Sequence, residues 1–281
     1  MTHDLNLMLV GLGAGLIGSL SGLGGGTILT PILTLFFHVP IEYAAGTSLM
    51  ATIATSSGAA AAYIKDRLTN LKIGTSLEIA TTSGAIAGAY LATLIYSHHM
   101  HQWMFLTFGV ILLLSLIPSA LNLDQQSLQM HAPDATTRFF QLEGSYYDHA
   151  LQKEVRYVGV RWWLAEMIML VAGLVSGLLG IGSGALKVLG MDWAMRLPIK
   201  VSTATSNFMI GVTAAAGVGA YWAAGYVQPA LIAPTILGVM AGSIIGTKIL
   251  NRLHGRKVRL VFLAVVFVLA IEMIGRSYGQ F

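Results

Sequence analysis

The chain contains no cysteine among its 281 residues. This absence excludes a disulfide framework, a thiolate nucleophile and a cysteine-ligated metal site. Charged residues are also scarce, at 10% of the chain, whereas a soluble globular protein carries about 25%. Hydrophobic residues make up 55%, and the mean hydropathy is +0.72. With so little charge the chain cannot cover a surface that faces water, so we expect it to lie in a lipid bilayer.

Signatures of common enzymes are missing as well. The sequence has no His-Glu-x-x-His, no Gly-x-Ser-x-Gly, and no Gly-Lys-Ser/Thr after its glycine clusters, so we expect neither an enzyme nor a cofactor. His98, His99 and His101 lack neighbouring acidic residues and cannot share one helical face, which favours a wet interfacial loop and no metal site. The pI of about 9.3 does not indicate nucleic-acid binding, because the basic residues flank apolar segments.

The sequence contains an internal duplication. Residues 15–63 align without a gap to residues 173–221, at a constant offset of 158. The informative matches are those of glycine, proline and hydroxyl residues: Gly22 with Gly180, Gly24 with Gly182, Gly26 with Gly184, Pro40 with Pro198, and Thr47-Ser48 with Thr205-Ser206. Two related halves that build one site are typical of membrane transporters.

Apolar runs predict ten helical segments, five in each half. A spanning helix needs roughly 20 apolar residues, but the second segment of each half is shorter and follows a glycine cluster. We therefore expect these segments to be short or broken helices, with their glycine loops facing the protein interior. The predicted segments are 5–22, 27–37, 43–63, 71–96 and 101–120, then 160–180, 185–196, 200–222, 228–250 and 258–276.

Matched loops of the two halves carry opposite charge signatures. The loop after the third segment is basic in the first half and lacks Lys and Arg in the second; after the fourth segment the pattern reverses. The sequence therefore predicts inverted-topology repeats. With both termini outside, 14 of the 16 Lys and Arg residues lie at the cytoplasmic side. An alternative with fully re-entrant short segments and parallel repeats would place one set of basic loops outside. The basic residues of these loops are Lys65, Arg67 and Lys72, and Arg252, Arg256, Lys257 and Arg259.

The fold expected is thus an all-α integral membrane protein with several spans. Residues 1–120 form the N-terminal repeat, 121–160 a cytoplasmic linker, and 161–281 the C-terminal repeat. The linker holds two runs rich in aromatic and β-branched residues, 137–147 and 152–160, which predict a small β-hairpin.

The two glycine clusters are the first candidate site. Each is expected to end at a helix N-terminus, where free N–H groups and the positive end of the helix dipole favour an anion. Close helix packing by small residues is the alternative. The residues concerned are Gly24, Gly25 and Gly26, and Gly182, Ser183 and Gly184.

Polar residues of the third segments are further candidates: Thr47, Ser48, Thr205, Ser206 and Asn207. Their hydroxyl and amide groups can bind an oxyanion without fixed charge, or bond to their own or neighbouring helices instead. For Thr55 and Thr213 we favour ordinary helix contacts.

Lys187 is a lone cation in an apolar segment, and such a charge is a candidate functional site. It either binds the anion, or snorkels or pairs with Asp192. Glu78 and Glu166 could carry protons, but basic neighbours favour interfacial pairing for both. For Glu272, the spacing favours a helix pair with Arg276.

The run Gly22-Leu-Gly-Gly-Gly26-Thr27, with Pro31 and then Gly46-Thr47-Ser48, resembles the TauE/SafE family of sulfite and organosulfonate exporters. The second half echoes it at 180–184 and 204–207, with Ser183 and Leu189 in place of Gly25 and Pro31. The resemblance implies a multi-pass transporter of a bacterial cytoplasmic (inner) membrane that carries sulfite, sulfonates or thiosulfate, with proton coupling open. An anion channel with the same glycine loops is the alternative.

Overall fold

The computed structural model describes residues 2–22, 24–98, 101–121, 132–148, 152–250 and 255–278. His99 of the histidine cluster and Arg252 of the basic loop lie outside these ranges. Over the described ranges the chain forms eleven α-helices and one two-stranded sheet. Their bounds are α1 Thr2–Ser21, α2 Gly26–Phe36, α3 Ile41–Lys65, α4 Leu71–Ser97, α5 His101–Leu121, α6 Ala135–Phe140, β1 Glu143–Asp148, β2 Lys153–Val158, α7 Trp162–Leu179, α8 Gly184–Leu189, α9 Ile199–Ala223, α10 Pro229–Leu250 and α11 Gly255–Ser277.

The helices follow the ten predicted segments closely, so the mostly helical architecture is confirmed. Among the described residues, three stretches are long and apolar enough to cross a membrane: Leu71–Ser97, Trp162–Leu179 and Pro229–Lys248. Helices α1, α2 and α5 contain shorter apolar stretches. Helix α3 is 25 residues long, but its buried face carries hydroxyl residues, which lower its hydropathy. Helix α8 is short, and the chain continues from it as a π-helical turn, Gly190–Ala194.

The linker differs in part from its prediction. The β-hairpin is present, and its antiparallel register pairs Glu143 with Val158 and Asp148 with Lys153. Residues 137–140, however, belong to helix α6 and not to a strand. The Asp134 carboxylate accepts a 2.7 Å hydrogen bond from the Thr137 backbone N–H, a helix cap that outweighs the β propensity of the aromatic residues after it.

Helices pack between the two halves through matched glycines. Helix α1 lies along α10, and α7 lies along α4. A Cβ atom on Gly15 would overlap the carbonyl oxygen of Val239, and one on Gly173 would overlap that of Thr81. These contacts occupy equivalent positions, because both members of the second pair match the first at the offset of 158. Small-residue packing therefore explains these in-phase glycines.

Helices α3 and α9 form the centre and run antiparallel. The Ser56 hydroxyl, late in α3, donates a 2.6 Å hydrogen bond to the carbonyl of Asn207, early in α9. Gly46, early in α3, lies against the carbonyl of Tyr226, just beyond the end of α9. The start of one helix therefore lies at the end of the other.

The loops collect at two opposite ends. Where α3 begins and α9 ends, Tyr226 packs edge-on against Tyr43 and Tyr96, with ring centroids 5.8 and 5.6 Å apart. At the other end the β-hairpin joins both halves. There Tyr157 accepts a 3.1 Å hydrogen bond from the Asn70 side chain, and Lys200 pairs with Asp148 at 2.8 Å. The hairpin thus links the loop after α3 to the start of α9.

Candidate functional site

Each half has one glycine loop. The first, at 22–26, leads from α1 to α2, and the second, at 180–184, leads from α7 to α8. Gly24 and Gly182 have φ angles of +78° and +73°, in the left-handed region that glycine adopts without steric cost. Each loop leads directly into a short helix, α2 or α8, as the sequence predicted.

The two glycine loops contact each other. The Thr27 hydroxyl, at the start of α2, donates a 3.4 Å hydrogen bond to the carbonyl of Ile181 in the second loop. Thr52 and Ile210 flank both loops: a Cβ on Gly24 would lie 2.9 Å from Ile210 Cδ1, and one on Gly182 would lie 2.8 Å from Thr52 Cγ2. These flanking residues match at the offset of 158, but they differ in type, so a search for identities misses them.

Ser48 and Ser206 hold the loops in place. Ser48 Oγ donates to the carbonyl of Gly26 at 3.0 Å. Ser206 Oγ lies within donating distance of two carbonyls, that of Gly22 at 2.9 Å and that of Gly184 at 3.3 Å. Both serines are fully buried. In this conformation both hydroxyl hydrogens are donated to carbonyls of the glycine loops, so the two serines position the loops.

The other hydroxyl and amide candidates differ in whether their polar atoms already have hydrogen-bond partners. Thr205 Oγ1 accepts a 3.1 Å hydrogen bond from the Asn70 backbone N–H, so it braces the loop before α4. Asn207 donates a hydrogen bond from its side-chain amide to the carbonyl of Ser19 at 3.3 Å. Within the described ranges, neither its buried Oδ1 nor the buried Thr47 hydroxyl has a hydrogen-bond partner. Thr47 and Asn207 therefore retain hydrogen-bonding capacity that Thr205 has already used.

Ser183, in the second loop, combines an unusual backbone conformation with an unsatisfied hydroxyl group. It precedes α8 with φ +45°, a backbone conformation that costs energy for any residue with a side chain. Its hydroxyl is buried and has no hydrogen-bond partner in the part of the chain that the structure describes. It faces a small cavity of about 10 Å³, near the minimum for one water molecule. The cavity is lined by Thr27, Ile111, Leu112, Val175, Ile181, Ser183 and Leu186.

Lys187 is 0% exposed, one turn into the helix that starts at the second glycine loop. Its Nζ donates a 2.5 Å hydrogen bond to Thr213 Oγ1 on α9. The structure therefore directs this ammonium group into the protein, and the alternative of snorkelling or pairing with Asp192 is wrong. The ordinary helix role expected for Thr213 is likewise incomplete, since its hydroxyl also meets two ionisable side chains.

Glu78, on α4, is the second of these side chains. Its Oε1 accepts hydrogen bonds from the hydroxyls of Thr213 at 2.6 Å and Thr82 at 3.2 Å. Its buried Oε2 has no hydrogen-bond partner among the residues that the structure describes. The expected pairing with the basic loop after α3 is therefore wrong. Sequence reasoning missed this bridge because Glu78 lies 135 positions from Thr213.

The far end of α2 is fixed by the last helix. Arg276 donates hydrogen bonds of 3.1 and 3.0 Å to the carbonyls of Thr34 and Leu35, where the sequence indicated a pair with Glu272. A cation at a helix C-terminus also interacts favourably with the helix dipole. Both ends of α2 are thus tied to other elements.

Comparisons with known proteins give one family model and several relatives described as probable membrane transporters. Residues 7–273 match the family model described as sulfite exporter TauE/SafE. The chain is 28% identical over 275 residues to the probable membrane transporter protein YunE of Bacillus subtilis, covering 95% of this chain and 96% of that protein.

Two further relatives carry the same description. The chain is 28% identical over 248 residues to YdhB of Bacillus subtilis, covering 88% of this chain and 89% of that protein. It is 24% identical over 284 residues to a probable membrane transporter protein of Methanocaldococcus jannaschii, covering 95% of this chain and 94% of that protein. No solved structure matches the chain.

Proposed function

Because the chain belongs to the TauE/SafE family of sulfite exporters, we propose that this membrane transporter carries a small sulfur-containing anion, of the sulfite, sulfonate or thiosulfate class. The anion binds where the two glycine loops meet, and the site opens to each side of the membrane in turn. The observation that carries the proposal is the direct contact between Thr27 and Ile181, which joins the start of α2 to the second loop.

The groups around this junction suit an oxyanion. The Ser183 hydroxyl is a buried donor without a hydrogen-bond partner in the described ranges, and the backbone N–H groups at the start of α2 favour negative charge. Lys187 supplies a positive charge one turn beyond the second loop, and charge-assisted hydrogen bonds are stronger than neutral ones. Thr47 on α3 and Asn207 on α9 have unused hydrogen-bonding atoms, which become available to the anion when the helices shift.

Exposed tryptophans support placement of the helices across the bilayer. Trp103 and Trp222 are 59% and 62% exposed near the end where α9 stops, and Trp163 and Trp193 are 67% and 60% exposed near the hairpin end. Tryptophan is enriched at both interfaces of a membrane. Two such groups at opposite ends suit a multi-pass protein of the cytoplasmic membrane.

The matched contacts favour inverted repeats. Antiparallel α3 and α9, with α1 on α10 and α7 on α4, are what two oppositely inserted copies would produce about a shared axis. We assign residues 1–120 and 161–281 to the repeats and 121–160 to the connector. Rocking of one repeat against the other would expose the glycine loops alternately.

The proposed topology places the hairpin end in the cytoplasm and both termini outside. Since the chain has no cysteine, single cysteines report their own accessibility. In whole cells a membrane-impermeant maleimide should label a cysteine at His98 but should label one at Arg67 only after lysis. Labelling of the Arg67 position in intact cells would reverse the topology.

Burial favours a carrier over a channel. Ser48, Ser206 and Lys187 are all 0% exposed, so an anion reaches them only after a conformational change. The decisive test is flux into proteoliposomes with sulfite, thiosulfate, taurine, sulfoacetate, ethanesulfonate and chloride. We expect saturable exchange of a sulfur-containing anion and little chloride flux. Single-channel currents, or no flux of any sulfur-containing anion, would contradict the proposal.

A further inference from the structure

We propose that Glu78 is the proton-binding residue of this transporter, and that the Glu78 carboxylate and the transported anion alternate as the counter-ion of Lys187. This inference rests on the proposed function and names its coupling ion. It is carried by the geometry of three buried side chains: the Lys187 ammonium donates to Thr213, whose hydroxyl oxygen lies 2.6 Å from Glu78 Oε1.

A buried ammonium group needs a negative partner, because an uncompensated charge away from water is costly. When the site holds no anion, the Glu78 carboxylate supplies that charge through Thr213. When an anion approaches Lys187, two negative charges would share one cation. Uptake of one proton converts the Glu78 carboxylate to a carboxylic acid, so the site holds one cation and one anion in both states.

The proton has a defined acceptor atom. Glu78 Oε2 is buried and has no hydrogen-bond partner among the described residues, whereas Oε1 already accepts hydrogen bonds from two hydroxyl groups. The residue as a whole is 9% exposed. A proton can therefore bind to Oε2 while the hydrogen bonds to Oε1 stay in place.

Thr213 can switch between two acceptors. Its single hydroxyl hydrogen is directed either to Glu78 Oε1 at 2.6 Å or to the Met209 carbonyl at 3.0 Å. An ionised Glu78 attracts this hydrogen more strongly than a neutral one does. Protonation of Glu78 therefore allows the hydroxyl to turn to Met209 and weakens the link that holds Lys187.

Other charges around Glu78 are few. Helix α4 itself adds Lys72, whose ammonium bonds Gln141, and α7 brings Glu166, which is partly buried. Helix α9 brings Lys200, which pairs with Asp148. The ionisable residues of α5 and α6 are His101 and Arg138. In the described part of the chain, Lys187 is thus the cation joined to Glu78 through a shared hydroxyl.

The bridge also joins the two halves at one place. Glu78 belongs to the first half, and Lys187 and Thr213 belong to the second. At the matched positions the other copy has Ile236, Leu29 and Thr55, so the duplicated site carries neither charge. One proton per transport cycle follows from this asymmetry, and for a monovalent anion such symport is electroneutral.

The first test uses the unaltered protein in proteoliposomes, with ethanesulfonate as the probe because its sulfonate stays ionised across the working pH range. Ethanesulfonate influx should carry about one proton each, measured with a lumenal pH dye. An outside-acid gradient should accumulate the anion up to about tenfold for each pH unit, and a potassium–valinomycin potential should change the rate little. Ethanesulfonate flux without proton movement would overturn the inference but leave the proposed carrier intact.

The second test replaces the carboxylate. Glu78→Gln should retain ethanesulfonate counterflow but lose both proton co-transport and accumulation, and Glu78→Asp should restore them in part. Glu166→Gln is the matched control on the neighbouring helix and should behave as the unaltered protein does. Proton-driven accumulation by Glu78→Gln would overturn the assignment. If the unaltered protein moves no sulfur-containing anion in the wider screen, the proposed function itself fails.

Discussion

The Tyr63 hydroxyl donates a 2.9 Å hydrogen bond to the backbone carbonyl of Ser19. The same bond recurs in the second half, where Tyr221 donates to the carbonyl of Gly177 at 3.0 Å. Both tyrosines are buried, and each ties the end of a central helix, α3 or α9, to the helix before a glycine loop. The same brace therefore occurs in both copies of the duplicated segment.

These braces should contribute similarly to stability. Tyr63→Phe and Tyr221→Phe each remove one buried hydrogen bond, and we expect a loss of about 1 kcal/mol of unfolding free energy apiece. Thermal unfolding in detergent would measure the effect, with Tyr90→Phe, at an exposed site, as the control. A much larger effect for one tyrosine would show that the two braces are not equivalent.

Alanine at Gly24 or Gly182 should stop transport. Each substitution combines a left-handed backbone, costing ~1–2 kcal/mol, with a Cβ under 3.0 Å from Ile210 or Thr52. Gly225→Ala separates the two effects, because Gly225 has φ +77° with nothing within 4 Å of its Cβ position. We expect counterflow to survive in Gly225→Ala alone. Equal loss in all three variants would mean that backbone strain, and not loop contact, is responsible.

Ser183→Gly should make the protein more stable and less able to bind its substrate. Glycine removes the strain of φ +45°, a gain of ~1 kcal/mol, and also removes a buried hydroxyl without a partner. The lost donor should weaken anion affinity by a factor of about 5–10, in proportion to one hydrogen bond. Thermal unfolding and the half-saturation concentration for counterflow would separate the two. Weaker binding without added stability would assign Ser183 a structural role.

Lys187→Met should destabilise the protein when made alone. The change leaves the Glu78 carboxylate without its cation, and breaking one side of a buried pair typically costs ~3–5 kcal/mol. The double variant Lys187→Met, Glu78→Gln removes both charges and should recover most of the stability but no anion transport. Unfolding measurements on the two single variants and the double variant give the coupling. Independent, additive effects would contradict the bridge through Thr213.

The cap of helix α6 should weaken in acid. Partial burial opposes ionisation of Asp134, but hydrogen bonds from the Thr137 N–H, from the hydroxyls of Thr136 and Thr137, and from the Arg161 N–H outweigh it. They hold the pKa of this carboxyl well below its ordinary value. A lowered pKa gives stability that is fully present above the unfolded value of about 3.9 and is lost progressively below it.

Asp134→Ala should therefore cost about 1 kcal/mol near neutral pH. The difference from the unaltered protein should shrink as the pH falls below about 4. Hydrogen exchange of the α6 amides, followed against pH, would measure it. A difference that does not vary with pH would show that the carboxylate charge is irrelevant to the cap.

Local patterns predicted the helices and the loops well. Apolar runs and glycine clusters located α1–α5 and α7–α11. The number of apolar residues needed to cross the lipid sets the length of a helix, and this requirement applies to each helix almost independently of the others. Helix α6 was missed since a single capping residue, Asp134, decides it. The π-helical turn after α8 depends on packing against α7, for which the sequence has no signal.

The site was predictable only in part. In-phase identities pointed to the glycine loops and to Ser48 and Ser206. The same criterion overlooked Thr52 and Ile210, which match in position but not in type. It also could not join Glu78 to Lys187, because the link passes through a threonine from a third helix, and contacts at such separations follow from the tertiary fold.

The packing of α1 against α10 has a consequence for biosynthesis. Helix α1 is synthesised before α10, yet the surface that its glycines fit, around Thr235 and Val239, belongs to α10. Until then this narrow face contacts lipid or the translocation machinery. Truncation before α10 should therefore yield a chain that inserts but cannot close around its first helix, and separately expressed halves should be stable only when made together.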